Sequence, residues 1–229
     1  MYGLEQFAVH RPNDLDWTSL PNRCALQIHW HKTPEIIGLL ELHGFRVIAL
    51  ARHPLDVLIS ILHFAPHEPQ TAQWLEGEGG VESLIYGCPP TSLAFLSYAT
   101  GSRAQALLSV TQEWWVMPNV IGVRYEDLVQ MPNETVTSMC RKLGALPANI
   151  NPVLESLALE KLRQTSFNQH FWKGRPGIWK ALLTPSVAHA IATTHQNVFA
   201  TLGYLCEPDI DLSACAANTN WLTLSEEKE

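Results

Sequence analysis

The stretch RVIALARHPLDVLISILHF, Arg46 to Phe64, predicts a buried strand that turns directly into a helix. Its residues 47–51 form a continuous apolar run, as expected for a strand covered on both faces. Pro54 suits a first helical turn, because its φ is already set and its missing N–H would have no partner there. Arg52 stands at the junction, where open α/β sheets bind ligands. It is therefore a candidate anion-binding residue, and a solvated helix-cap arginine is the alternative.

Composition indicates a globular chain long enough for an α/β domain, and it argues against several classes of function. The 229 residues are 46% hydrophobic and 16% charged, enough for one sizeable domain. A formal net charge of −7 argues against general nucleic-acid binding. No apolar run is long enough for a membrane span, and no secretory signal is visible. The five cysteines are odd in number and contain no CxxC pair, which favours a reducing cytoplasmic location.

The order of patterns along the chain predicts a parallel sheet flanked by helices. A polar, irregular lead-in (1–23) precedes a strand at Cys24 to Trp30 and a helix at Pro34 to His43. Further helices are expected at 91–116 with a break near Gly101, 133–143, 151–163 and 185–202, and another strand at Val120 to Tyr125. We expect a single domain over 1–205 and an ill-ordered polar tail over 206–229. The long connection 65–90 is a candidate part of a substrate pocket.

A second informative feature is the loop HFWKGRPGIWK, His170 to Lys180. Lysine supplies point charge, and the glycines allow close backbone approach with exposed N–H groups. Two tryptophans within eleven residues make an ordinary surface loop a weaker interpretation. This loop is a second candidate anion-binding element.

Other site types have less support. The GEGG loop (77–80) lacks a following lysine, so a phosphate-binding role is weaker than a flexible loop. A zinc site on His29, His31, His63 and His67 has no cysteine pair beside it, and Pro66 is expected to disrupt the helix between the last two histidines. No GxSxG or HExxH motif is present, so we expect no metal and no hydrolase of those types.

Four segments together resemble the sulfotransferases that use 3′-phosphoadenosine 5′-phosphosulfate (PAPS). Arg52 and Ser60, eight apart in RHPLDVLIS, resemble the arginine and serine that hold the 3′-phosphate in that family. VRYEDL resembles the strand whose tyrosine, here Tyr125, contacts the nucleotide. TSF resembles the stretch whose threonine and phenylalanine, here Thr165 and Phe167, enclose the adenine.

The late loop WKGRPGIWK resembles the family's RKGxxGDWK, which grips the 3′-phosphate. Lys173 and Gly174 match, whereas Trp172 stands in place of arginine and Ile178 in place of aspartate. The resemblance also implies a catalytic histidine in a short strand before the arginine strand, which is His29 here. His31 is a rival, because it shares a strand face with His29.

The resemblance implies a sulfotransferase with PAPS as co-substrate and a small-molecule or glycan acceptor, in a P-loop-like α/β fold. One departure is clear: the family's opening strand, PKSGT-like phosphosulfate loop and helix have no counterpart in this sequence. A catalytically impaired nucleotide-binding or interaction module is therefore the alternative. Another P-loop-like kinase or nucleotide transferase is weaker, since GxxxxGK[ST] is lacking. The acceptor and the oligomeric state, including a homo-oligomer, stay open.

Overall fold

The protein alternates short strands with helices. The computed structural model describes residues 5–8, 11–67, 80–145, 149–165 and 172–226. The strands are β1 (Glu5–Ala8), β2 (Cys24–Gln27), β3 (Ile48–Ala51) and β4 (Ile121–Arg124). The helices are α1 (Pro34–Leu42), α2 (Pro54–His67), α3 (Leu93–Ala99), α4 (Ser102–Trp115), α5 (Tyr125–Gln130), α6 (Pro132–Lys142), α7 (Asn151–Ser156), α8 (Leu159–Thr165), α9 (Pro185–Thr194), α10 (Gln196–Leu202) and α11 (Ala214–Glu226). Short 3-10 turns lie at Pro12–Asp14, Glu82–Ile85 and Ile178–Ala181.

All the strand pairing in the described part is parallel, which confirms the predicted fold class. β1 pairs with β2, and β3 pairs with β4 in a register that sets Ala51 opposite Arg124. The prediction that β3 is covered on both faces is wrong. Ala49 and Ala51 are buried, but Ile48 is 42% exposed and Leu50 is 51% exposed. One face of β3 packs on helices, and the other is open.

The main core forms where α2 meets the central and late helices. Its fully buried members include Leu55, Leu58, Ile59, Ile85, Phe95, Trp179, Leu182, Leu183 and Ile191. Burial of this much apolar surface is the dominant stabilising contribution to such a fold. The core fixes α2 next to the 3-10 turn Ile178–Ala181, which belongs to the second candidate loop. A second cluster gathers Trp30, Ile36, Leu40, Ala49 and Trp114 around α1 and β3.

Local signals place several helices correctly. The Thr33 side chain accepts a hydrogen bond from the Ile36 N–H, which caps α1, and Gly44 follows with φ at +70°. The expected break near Gly101 separates α3 from α4. Where a cap or a left-handed glycine is readable in the sequence, the helix end agrees with the prediction to within one or two residues.

Other expectations need correction. The lead-in is not wholly irregular, because it contains β1 and a 3-10 turn. α2 continues through Pro66 to His67, so this proline lies in the last turn, where the helix ends one residue later. The expected helix over 151–163 divides into α7 and α8, and the one over 185–202 divides into α9 and α10 at His195, whose buried ring lies 2.7 Å from the Ala99 carbonyl oxygen.

The expected ill-ordered tail instead contains α11, which packs on the body of the protein. Ala217 is fully buried, and the Asn220 side chain donates to the Ala181 carbonyl oxygen at 2.9 Å. The pattern of this segment has only scattered apolar positions, so its packing was not readable from the sequence. Among the described residues, no helix is both long and apolar enough to cross a membrane.

Candidate functional site

Arg52 and Tyr125 meet at the carboxyl ends of β3 and β4. Each residue directly follows one of the two paired strand ends, Ala51 and Arg124. The Arg52 guanidinium carbon lies 4.8 Å from the centre of the Tyr125 ring, a cation–π contact. Burial raises the pKa of the Tyr125 phenol, so the ring stays neutral beside the arginine. Two residues predicted to contact a nucleotide are therefore neighbours.

The Arg52 side chain retains hydrogen-bonding capacity. Its Nε atom is buried and has no hydrogen-bond partner among the described residues. Leaving a buried donor unsatisfied costs about 1–3 kcal/mol. Such a group, next to the start of a 14-residue helix, suits an anionic ligand better than an apolar one.

Asp56, in the first turn of α2, holds the late loop in place. Its fully buried carboxylate accepts hydrogen bonds from the N–H of Gly177 at 2.6 Å and from the N–H of Trp179 at 3.0 Å. Gly177 has φ at +78°, a conformation that favours glycine. Burial raises the pKa of the Asp56 carboxyl, and the two N–H donors and Arg52 act in the opposite direction. The loop containing Lys173 and Gly174 is thus tied to the helix that Arg52 precedes.

The same loop contacts α2 again two turns later. The Trp172 ring stacks on the His63 ring, with 4.1 Å between centroids and 12° between planes. Ser60 lies on the helix face that carries Asp56 and His63, because residues three and four apart are neighbours on a helix surface. Lys173 is 8% exposed and lies along the chain between these two points of attachment.

Gly174 occupies a position that favours glycine. Its φ is +62°, and a Cβ atom added there would lie 2.6 Å from the Cδ2 atom of Leu159. The backbone beside Lys173 therefore packs directly on the start of α8. Of the predicted nucleotide contacts, Arg52 and Tyr125 touch each other and Ser60 lies on α2. Lys173 and Gly174 belong to the loop that Asp56 ties to α2.

Sequence reasoning missed the supporting residues. Glu126 accepts from the His53 N–H at 2.9 Å and from the Tyr204 hydroxyl at 2.6 Å, which joins β4's end to the start of α2. The Leu55 N–H donates to Nδ1 of His53, so the ring proton is on Nε2, which donates to the Leu205 carbonyl oxygen at 3.1 Å. The sequence did contain a signal for Glu126, namely the acidic pair that follows β4. The resemblance gave a role only to Tyr125 in that turn.

Three other predicted site residues are Thr165, Phe167 and His29. The Thr165 side chain and Phe167 lie outside the described residues. His29 is exposed and follows β2. The residue after it, Trp30, accepts a hydrogen bond at its carbonyl oxygen from Trp114 Nε1 at 2.9 Å, at the end of α4.

The residues after His29 contact the last turn of α4. Nδ1 of His31 lies 3.0 Å from Oε1 of Glu113, and the Lys32 N–H donates to Oε2 of the same carboxylate at 2.9 Å. α4 leads into the amino end of β4, whereas Tyr125 follows its carboxyl end. The assignment of His29 as the base stays a prediction.

Solved structures of PAP-bound proteins share this fold. Mouse sulfotransferase SULT7A1, solved in complex with PAP, is 14% identical with a TM-score of 0.64, covering 87% of this chain and 76% of the mouse chain. Retinol dehydratase, solved with androsterone and the inactive cofactor PAP, is 17% identical with a TM-score of 0.53, covering 82% of this chain and 57% of that chain. At these identities the likeness shows the fold. The chain spans little more than half the length of retinol dehydratase.

Sequence comparison identifies the family. No curated protein matches the chain. The family model for the sulfotransferase domain matches residues 28–203, a range that contains Arg52, Tyr125 and the loop held by Asp56. That range is well over half of the 229 residues. The chain belongs to the sulfotransferase domain family.

Proposed function

We propose that this protein binds PAPS and transfers its sulfuryl group to an acceptor hydroxyl or amine. The observation that carries the proposal is the grouping around α2. Arg52 lies over Tyr125, and the loop containing Lys173 is bound to the same helix through Asp56. A cation at the start of α2 and a second cation in a loop tied to the same helix suit a phosphate dianion.

In this proposal the adenosine 3′-phosphate is held by Arg52, Ser60, Lys173 and the backbone at Gly174. Tyr125, Thr165 and Phe167 line the rest of the nucleotide. The buried Nε of Arg52 gains a partner when the phosphate binds, which removes the cost of an unsatisfied donor. Both structural neighbours were solved with PAP, the product that a PAPS-dependent transfer leaves behind.

The transfer resembles phosphoryl transfer in its demands on the protein. The acceptor oxygen or nitrogen forms a bond to sulfur, the bond from sulfur to the bridging phosphate oxygen breaks, and PAP leaves with the electron pair. The acceptor proton moves to a base, which we propose is His29, because a neutral imidazole accepts a proton near neutral pH.

Small apolar alcohols are a reasonable acceptor class, alongside glycans. Retinol dehydratase has been solved with androsterone and with retinol. We also propose a cytoplasmic location, since all five cysteines are free, as expected in a reducing compartment.

A nucleotide-binding module without transferase activity is the second candidate. The observation that favours it is the sequence after β1, which continues VHRPND and contains no glycine-rich phosphosulfate loop. A protein without such a loop would offer the transferred group fewer backbone donors, and loss of one oxyanion donor alone costs about 100- to 1,000-fold in rate. Both candidates bind the nucleotide, and only the first transfers sulfate.

Calorimetry with adenosine 3′,5′-bisphosphate (PAP) tests the shared part of the proposal. We expect binding by the wild type and at least about tenfold weaker binding by Arg52→Ala, since a charged hydrogen bond contributes about 1.5–3 kcal/mol. Arg46→Ala is the matched control, because Arg46 precedes the amino end of β3 and donates to the Lys142 carbonyl oxygen. Equal affinities for wild type and Arg52→Ala would contradict the assignment.

Transfer of labelled sulfate from PAPS then separates the two candidates. A panel of apolar alcohols and glycans serves as acceptors, and His29→Ala is the test variant. Transfer that needs His29 supports the enzyme with its proposed base, and transfer that survives His29→Ala removes His29 from the mechanism. PAP binding without any transfer favours the non-catalytic module.

A further inference from the structure

The Trp172 indole is held from two sides. Besides stacking on His63, its Nε1 atom donates to the Leu224 carbonyl oxygen at 3.4 Å. The Trp221 ring meets it nearly edge-on, with 5.9 Å between centroids and 70° between planes. Leu224 and Trp221 are three apart and share one face of α11. The residue before Lys173 is therefore clamped between α2 and the last helix.

Lys173 is fixed on its other side as well. The backbone at Gly174 turns with φ at +62° and packs against the Leu159 side chain. A lysine ammonium sits on a flexible four-carbon stem, so the placement of its charge depends on how firmly its backbone is held. Fixed residues on both sides restrict that placement before any ligand arrives.

We propose that Trp172 and α11 position Lys173 for recognition of the 3′-phosphate, so that the last helix sets the selectivity for a bisphosphorylated adenosine. This rests on the proposed function. Trp172 stands where the resembled loop has an arginine, so this loop has one cation fewer at that position. Discrimination then depends more heavily on the exact location of the Lys173 charge. Trp221 and Leu224 act through Trp172 and are positioning residues.

The test compares PAP with adenosine 5′-monophosphate, which lacks the 3′-phosphate. Calorimetry at constant ionic strength gives the selectivity ratio, which is the dissociation constant of the monophosphate divided by that of PAP. We expect Trp221→Ala to lower that ratio by about threefold to tenfold, the equivalent of one aromatic pair, and to leave the affinity for the monophosphate unchanged. Trp221→Phe, which keeps an edge-on ring, restores most of the ratio.

Two further variants keep the result unambiguous. Trp172→Phe retains the stack on His63 and loses the N–H that reaches Leu224, so we expect a smaller fall in the ratio. Trp17→Ala removes another half-buried tryptophan, which packs near Trp30 in the second cluster. It should lower the thermal midpoint and leave the ratio at the wild-type value.

The outcomes separate this inference from the proposed function. If the wild type does not bind PAP, or Arg52→Ala binds it equally well, the proposed function fails. If PAP binding depends on Arg52 while Trp221→Ala keeps the wild-type ratio, or weakens both nucleotides alike, only the positioning role is overturned. A fall in the ratio for Trp17→Ala equal to that for Trp221→Ala would also overturn it, because both would then reflect general loss of stability.

Discussion

Asp56 and Gly177, 121 positions apart in the chain, are joined by a 2.6 Å hydrogen bond from the glycine N–H to the buried carboxylate. This bond, with its partner from Trp179, brings the late loop to the first turn of α2. It explains how the late loop, which is distant in sequence, comes to lie against the helix that Arg52 precedes.

Replacement of Asp56 by asparagine tests that link. The amide oxygen can accept one N–H bond, but the amide nitrogen would place a donor against the other N–H. We expect a loss of about 1–3 kcal/mol in the free energy of unfolding, measured with urea, and weaker PAP binding. Asp211→Asn, at an exposed position, is the control and should change stability by less than about 0.5 kcal/mol. Unchanged stability and affinity in Asp56→Asn would refute the role of the carboxylate.

Stability should depend on pH through His53. Burial lowers the pKa of this imidazole below its usual 6.5, so the native state keeps it neutral while the unfolded chain takes up a proton. The unfolded state then binds more protons, and the stabilisation present above about pH 6.5 is lost as the pH falls toward the lowered native pKa.

The measurement is urea unfolding at about pH 7.5 and about pH 5.5, on either side of the ordinary histidine pKa. We expect a smaller loss of stability on acidification in His53→Asn than in the wild type. His189→Asn removes an exposed histidine and should keep the wild-type pH dependence. A pH dependence identical in wild type and His53→Asn would be inconsistent with this account.

We expect PAP binding to depend on the face of the Tyr125 ring and not on its hydroxyl. Tyr125→Phe keeps a ring under the Arg52 guanidinium, whereas Tyr125→Leu removes the cation–π contact, worth about 0.5–2 kcal/mol. We therefore expect near wild-type PAP affinity for the phenylalanine variant and weaker binding for the leucine variant, by calorimetry. Equal losses in both variants would point to the hydroxyl instead.

Gly174→Ala should damage the loop for two separable reasons. The new Cβ meets Leu159, and the positive φ adds strain of roughly 1–2 kcal/mol. Gly144→Ala is a matched control, because its φ is +75° and no atom lies within 4 Å of the added Cβ. We expect the larger stability loss and a fall in PAP affinity only for Gly174→Ala. Equal stability losses in the two variants would show that the contact with Leu159 is unimportant.

Local chemistry made part of this fold readable from the sequence. The cap at Thr33, the glycine after α1 and the break near Gly101 all act within a few residues, and the structure agrees with each. The strand-to-helix turn at Arg52 was readable for the same reason. No local pattern predicts that distant loops of this chain meet. That expectation came from the resemblance of several separate motifs to one family.

Long-range contacts account for what was missed. An aspartate in the first turn of a helix is common, and nothing near Asp56 in sequence indicates that its partners lie in the loop at Gly177. The packing of α11 depends on Trp221 meeting Trp172, which no periodicity in the tail reveals. The open face of β3 was mispredicted because an apolar run does not show which elements are present to cover it.

The most direct test of the central claim is a double-mutant cycle on Arg52 and Lys173, read out as the dissociation constants of PAP and of adenosine 5′-monophosphate. If both cations hold one 3′-phosphate, Arg52→Ala and Lys173→Ala each weaken PAP at least about tenfold and scarcely change the monophosphate. The double variant then keeps only the smaller preference for PAP that Ser60 and the Gly174 backbone provide. Loss of affinity for both nucleotides in parallel, or single-variant effects that appear for only one of the two residues, would contradict a shared phosphate site.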